Sequence, residues 1–312
     1  MKIINYRQGS RVRSGCLTNE DKVIDLHGAC LSMLKNDKHP RAASVAEAYV
    51  PSNTLELLQG GEESLEFAKK AVGYIQSDAS AGEKEEWTFA RSEVRIEAPV
   101  TNPSKIICVG HNYREHILEM GREIPTHPVV FAKFANAVIG PEDDIPYPEI
   151  TEKLDYEAEL AFVVGKKAKN VKEKDALDYV AGYTIVNDIS ARDLQKRTLQ
   201  WLQGKSLDGS APMGPWMVTK DEVKDPDNLD ISLRVNGEER QRSNTESLVF
   251  NVSGLIAFLS EIMTLEPGDV ICTGTPGGVG AARDPQVFLQ DGDVVDIEVS
   301  DVGVLKNKVK KV

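Results

Sequence analysis

Short apolar stretches with period-two alternation dominate this chain, and stretches with helical spacing are fewer. Strands are predicted at Lys2–Arg7, Lys22–Asp25, Val94–Ile96, Ile106–Gly110, Val129–Lys133, Glu157–Val164, Gly182–Asn187, Leu229–Val235, Asp269–Thr273 and Val294–Val299. Helical spacing occurs near Thr54–Leu58, over Glu62–Ile75, at Tyr113–Met120 before Gly121, at Lys174–Asp178 and at Val252–Met263. Strands that do not alternate regularly with helices argue against a doubly wound sheet and predict an α+β, β-rich fold. The segment Gln76–Glu86 is small, polar and without apolar period, and reads as a linker. The expected division is therefore a smaller N-terminal α+β domain with its linker over residues 1–98, and a main domain over 99–312.

Composition narrows the partners. The 312 residues are 41% hydrophobic and 28% charged, which suits a globular protein. A net charge of −12 disfavours nucleic acid and anionic membranes, and no basic cluster offsets it. Lys306, Lys308, Lys310 and Lys311 alternate as the solvent face of a final strand would. No apolar run approaches the roughly 20 residues of a membrane helix, and Met1–Arg7 reads as a strand rather than a leader. Cys16, Cys30, Cys108 and Cys272 show no metal or redox spacing. They read as buried thiols of a reducing compartment, and the expected location is cytoplasmic.

The stretch Leu154-Asp155-Tyr156-Glu157-Ala158-Glu159-Leu160 leads into an apolar strand. With side chains alternating, Glu157 and Glu159 share a face. Two like charges beside a buried strand need a cation between them or an exposed strand end. Asp188 follows the strand ending at Asn187 and can reach the same place. Three carboxylates without His or Cys suit a hard cation: Mg²⁺, with Mn²⁺ or Ca²⁺ as alternatives. Spacing alone leaves both the metal site and the solvated strand end open.

Four motifs occur in order: Asp155–Leu160, Asn187–Asp193, Gly204–Asp208 and Thr273–Gly280. Together they resemble the fumarylacetoacetate hydrolase superfamily, from about Pro103 to the C-terminus, with the N-terminal extension of its longer members. The resemblance implies a mixed β-sandwich/roll catalytic domain and a homodimer. It implies that Glu157, Glu159 and Asp188 are metal ligands. Arg192, Gln195 and Lys205 would lie near developing negative charge, and Thr275 would contact a substrate carboxylate. The full hydrolase of tyrosine breakdown has a further aspartate ligand upstream. Cys108–Tyr113 offers no counterpart, which argues against fumarylacetoacetate as the substrate.

His116 and Glu119 share a face of one predicted helix. In members of the superfamily such a His-x-x-Glu pair sits on a lid helix, so Glu119 would orient His116 to draw a proton from water. His111 is assigned a structural place only. Lys133 is a further candidate for the substrate's surroundings. The glycine-rich run Thr273–Gly280 is neither a P-loop nor a dinucleotide fingerprint.

The expected activity is that of a metal-dependent enzyme on a small 2-oxo carboxylic acid, with the cation stabilising an enolate. Hydrolysis of an acylpyruvate C–C bond or decarboxylation of oxaloacetate is the first reading. Keto–enol tautomerisation or isomerisation of a 2-hydroxy-dienedioate is the alternative, and a non-catalytic metal-stabilised module is the reading from another class.

Overall fold

The computed structural model describes all 312 residues. The N-terminal part runs β1 (Lys2–Gln8), β2 (Arg11–Leu17) and β3 (Lys22–Asp25). Helices α1 (Leu26–Asn36), α2 (Ala42–Tyr49), α3 (Thr54–Gln59), α4 (Gly61–Ser77) and α5 (Ala81–Trp87) follow. Strands β4 (Thr88–Ala90) and β5 (Arg95–Glu97) close it. The segment predicted as a linker is thus the end of α4 and most of α5. Its structure comes from a capping box: Ser80 accepts the Glu83 N–H, and Glu83 accepts the Ser80 N–H.

Next come β6 (Ile106–Gly110), α6 (Arg114–Glu119), β7 (Val129–Lys133), β8 (Val138–Ile139), β9 (Ile145–Tyr147) and β10 (Leu154–Asp155). They lead to β11 (Ala158–Val164), β12 (Val180–Asn187), β13 (Ser190–Ala191), α7 (Arg192–Gln195) and α8 (Leu202–Lys205). The chain ends with β14 (Ala211–Thr219), β15 (Asp230–Val235), β16 (Glu238–Asn244), α9 (Val252–Ile262), β17 (Val270–Cys272), β18 (Val294–Val299) and β19 (Gly303–Lys311). The C-terminal lysines occupy the exposed positions of β19, as their alternation predicts. The predicted helix at Lys174–Asp178 is a 3₁₀ segment, Glu173–Tyr179.

A 12-stranded mixed sheet forms the backbone of the molecule, in the order β4-β3-β2-β1-β14-β12-β11-β17-β6-β7, with β5 on β1 and β8 on β14. The N-terminal strands join it through β1 and β14. A five-stranded sheet, β16-β15-β18-β19-β9, packs against one face, and β10 pairs with β13. The fold is α+β and strand-rich, as the sequence predicts.

Strand β11 shows what holds the layers together. Ala158, Leu160, Phe162 and Val164 enter the core shared with the smaller sheet and α9. Ala161 and Val163 face the other core, beneath α1 and α4. Every position of β11 is buried, so a charge at either face needs a partner. No helix is long and apolar enough to cross a membrane.

Candidate metal centre and active site

The start of β11 and the C-terminal ends of β12, β17 and β6 meet along one end of adjacent strands. Register brings the carboxylates together there. Ala158 pairs with Asn187, so Glu157 lies beside Asp188. The Asp188 N–H donates to the Glu157 carbonyl, and the Glu157 N–H donates to Asn187 Oδ1. Glu159 lies two positions along, on the same face as Glu157. One carboxylate oxygen from each of Glu157, Glu159 and Asp188 lies within 4.8 Å of the others, and all three residues are buried.

Cations surround this cluster. Lys205 Nζ donates to Glu157 Oε2 and Asp188 Oδ2, each at 2.7 Å. Lys133 Nζ donates to Asp188 Oδ1 at 2.7 Å and to the Ile189 carbonyl. An Arg192 nitrogen faces Glu157 Oε1 at 2.7 Å. Burial would raise the Glu157 carboxyl, but Lys205 and Arg192 outweigh it and hold it well below the usual carboxylate range. Burial also opposes the Lys205 ammonium, and Asp188 and Glu157 more than compensate, raising it above an ordinary lysine. Glu159 is the exception. Burial, then the charges of Asp188 and Glu157, push its carboxyl well up. Its only hydrogen-bonded partner is the Gly274 N–H, at 2.8 Å.

That asymmetry is the fit test for a cation. Three carboxylates converge, one of them held against its neighbours' charge without a cationic partner of its own. Each carboxylate oxygen also has a second lone pair beyond the hydrogen bond it accepts. An all-oxygen set of this kind suits Mg²⁺, Mn²⁺ or Ca²⁺.

The glycine-rich run after β17 forms the wall opposite. Gly274 has φ +104°, and a Cβ there would lie 2.8 Å from the Val109 carbonyl oxygen. Gly278 has φ +98°, and a Cβ would come within 2.1 Å of the Arg240 carbonyl oxygen. Only glycine permits this approach. Thr275 Oγ1 accepts from Gln241 Nε2 at 2.8 Å, which leaves its own O–H free to donate. On α6, His116 Nδ1 and Glu119 Oε2 are 3.5 Å apart, and Glu119 accepts the Gly278 N–H. The His116 contact lowers the Glu119 carboxyl more than partial burial raises it, and the Gly278 N–H lowers it further.

A cavity of about 280 Å³ opens over these groups. Its walls include Glu157, Glu159, His116, Lys205, Arg192, Gln195 and Thr275. Asp188 and Lys133 lie behind that wall, with Lys133 turned to Asp188 rather than to the cavity.

The model of the fumarylacetoacetate (FAA) hydrolase C-terminal domain matches residues 105–310. The chain belongs to the fumarylacetoacetate hydrolase family. Among curated proteins, the mitochondrial oxaloacetate tautomerase fahd2 of Xenopus laevis is 48% identical over 262 residues, 83% of this chain and 79% of that protein. The oxaloacetate tautomerase YisK of Bacillus subtilis is 40% identical, covering 99% of this chain and all of its own. Among solved structures, maleylpyruvate hydrolase from Sphingobium sp. SYK-6, in complex with manganese (II) ion and pyruvate, superposes with a TM-score of 0.74. It is 29% identical and covers 100% of this chain and 99% of its own. Membership places the chain in a family of enzymes.

Several residues that build this site carry no spacing signal. Asp155, fully buried, accepts from Arg192 Nε, from the Gly280 and Ala281 N–H groups and from the Tyr156 N–H. It fixes Arg192 and the glycine-rich wall at once. Gln241, on a wholly polar strand, joins the Ala158 N–H to Thr275 and to the Pro276 carbonyl. His111 has φ +54° and lines the cavity, with its ring 6.2 Å from His116 and edge-on to Trp201 at 5.4 Å. Both of its ring nitrogens are buried and unpartnered. Burial, then the charges of Arg122 and His116, push its imidazole down to about 4.

Proposed function

We propose that the chain is a divalent-metal-dependent enzyme for a small 2-oxo acid of the oxaloacetate type, and that it catalyses keto–enol tautomerisation. One observation carries this reading: the buried cluster of Glu157, Glu159 and Asp188 opens through Glu157 and Glu159 onto a cavity that His116 and Lys205 also line. The tautomerase names of the frog and Bacillus relatives favour proton movement over the C–C cleavage expected first from the sequence.

Glu157, Glu159 and Asp188 would hold the ion, Mg²⁺ in the first place. When bound, the ion supplies Lewis acidity that lowers the cost of negative charge on the substrate's 2-oxo oxygen. Lys205 and Arg192, with Gln195 hydrogen-bonded to Arg192, add fixed positive charge beside that oxygen. Thr275 donates its free O–H to the 1-carboxylate. His116 takes the proton from C3, and the C–H electron pair becomes the C2–C3 double bond. The carbonyl pair passes to the 2-oxygen, which takes the proton back from the His116 imidazolium, so that the base is restored and no net proton is gained or lost. The enol-to-keto direction is the reverse. Glu119 holds the imidazole in orientation. The homodimer and the cytoplasmic setting expected from the sequence belong to the same reading; the four free, buried cysteines suit a reducing compartment.

C–C hydrolysis is the second reading, favoured by the likeness to maleylpyruvate hydrolase. In it, His116 activates a water. The test follows the ultraviolet band of enol-oxaloacetate with Mg²⁺-loaded protein while pyruvate is measured separately. Tautomerisation predicts faster loss of the band, no accumulating pyruvate and suppression by EDTA. Pyruvate formation would replace this reading with decarboxylation. No acceleration with metal bound would reject it.

A further inference from the structure

The cavity has an outer half that the chemistry at the metal centre does not use. Its inner half ends on Glu157, Glu159, Thr275 and Lys205. Arg122 and Lys196, which are exposed, mark its outer half, and His111 is half-buried in the same lining. Two of the three carboxylates of the centre are committed to other cations, Glu157 to Lys205 and Arg192 and Asp188 to Lys205 and Lys133, and the third, Glu159, is buried at the floor of the site. Glu119 is turned to His116 and Gly278. Arg122 and Lys196, both exposed at the mouth, have no carboxylate partner. The outer half therefore presents an excess of positive charge in a recess where an anion would be partly shielded from water.

His111 adds direction to that charge. A buried imidazole N–H without an acceptor costs about 1–3 kcal/mol, so such a group calls for a partner. None is available within the chain: the neighbouring rings of His116 and Trp201 pack on its face and edge without accepting from it. The left-handed backbone at His111 holds the ring between them, between the end of β6 and the start of α6. His111 lines the cavity, so an oxygen bound there is the partner that its ring lacks within the chain. Arg122 follows α6 directly, with its N–H donating to the Ile117 carbonyl, and its charge is felt at His111. The imidazole, kept neutral, has one donor N–H to offer while the flanking cations supply the charge.

We infer that His111, Arg122 and Lys196 form a subsite for a second, distal carboxylate, so that the cavity selects 2-oxo diacids over 2-oxo monoacids. The inference rests on the functional reading above for the position of the first carboxylate. It goes beyond that reading in naming the side chains that recognise the far end of the substrate. A 2-oxo acid anchored at the metal centre by its 1-carboxylate and 2-oxygen must direct its C4 group away from Glu157 and Glu159. The outer half, with its unpaired cations, is where a carboxylate there is stabilised. A methyl group in that place would leave His111 unpartnered, and a neutral acyl group would leave both cations unneutralised.

The test uses binding, so that it does not depend on turnover. Malate and lactate share the 2-hydroxy acid end and differ by the distal carboxylate. Their dissociation constants are measured by calorimetry at neutral pH on the full chain loaded with Mg²⁺. The wild type should bind malate at least about tenfold more tightly than lactate, the ratio expected for one charged hydrogen bond. Arg122→Gln and Lys196→Gln, exposed changes that do not threaten folding, should each cut that ratio several-fold. His111→Gly removes the imidazole at a backbone position that glycine tolerates. It should bring the ratio close to one while leaving lactate binding unchanged. A wild-type ratio near one, or an unchanged ratio in all three variants, overturns the subsite. Wild-type tautomerisation of oxaloacetate with an unchanged ratio in the variants would sink the subsite alone. A ratio that collapses in the variants, in a protein that turns over no oxo acid, would uphold the subsite and sink the functional reading.

Discussion

The carboxylate of Glu119 accepts the backbone N–H of Gly278, at 3.2 and 3.1 Å to its two oxygens, across 159 positions of sequence. The same carboxylate stands 3.5 Å from His116 Nδ1. One side chain thus orients the proposed proton carrier and ties α6 to the glycine-rich wall. Glu119→Ala removes both functions. The tautomerase rate should fall by about tenfold to a hundredfold, within the range for disturbed acid–base catalysis. Amide exchange along α6 should quicken. Glu119→Gln can still accept from Gly278, so it should keep α6 protected while losing most of the rate. Rate assays and hydrogen exchange on the same preparations check both halves, and equal effects of the two variants would disprove the division.

Acid should act on the same contact. The folded carboxyl of Glu119 lies below its unfolded value, chiefly through His116. Its ionisation therefore stabilises the folded state above the usual carboxylate range. That contribution drains away as pH falls through the lowered folded value. Exchange at α6 amides should rise in this acid window in the wild type. In Glu119→Gln it should show no such step, as hydrogen exchange across a pH series would reveal.

Metal binding should separate two effects at Glu159. Burial disfavours its ionised form, and the neighbouring Asp188 and Glu157 charges add to this. Glu159→Gln removes the repulsion and can still accept the Gly274 N–H. Without metal, the variant should melt at or above the wild-type temperature. With Mg²⁺, the wild type should gain stability by mass action, about 2.7 kcal/mol at a hundredfold excess over the dissociation constant. The variant should gain little. Thermal melts with and without Mg²⁺ measure this, and a full Mg²⁺ response in the variant would exclude Glu159 as a ligand.

What could be read from the sequence follows from where the period is clean. Glu157 and Glu159 share a face because side chains along an extended chain alternate, and the apolar run Ala158–Val164 marks that chain as a buried strand. Asp188 reaches them only through the Ala158–Asn187 register, which no local pattern encodes. Strand β14 contains Pro212 and Pro215, which cannot donate to a ladder, so local chemistry spoke against a strand that tertiary pairing imposes. Strand β16 is polar at every position, and its one buried residue, Gln241, is the one that braces Thr275. Helix α5 was hidden by its lack of any buried residue, although its capping box stood in Ser80 and Glu83. His111 offered no signal in isolation. Its significance lies in two nitrogens left without partners by a fold the sequence does not spell out.

Asp155 should prove the most costly residue to remove around the site. It is fully buried and is the only carboxylate paired with Arg192 through Nε, at 2.8 Å. It also holds the Gly280 and Ala281 N–H groups. Asp155→Ala takes the acceptor from the Arg192 Nε–H and from three backbone donors, Tyr156, Gly280 and Ala281, at a cost of about 3–5 kcal/mol for breaking one side of a buried ion pair. Asp155→Asn keeps an acceptor for Gly280 and removes only the charge, so its loss should be smaller. Urea unfolding monitored by fluorescence gives both values. Because Arg192 also faces Glu157, released Arg192 is free to lean further onto that carboxylate. Metal affinity should therefore weaken in Asp155→Asn even where the chain stays folded. An Asp155→Ala protein as stable as the wild type would show that Arg192 is satisfied by Glu157 and Gln195 alone.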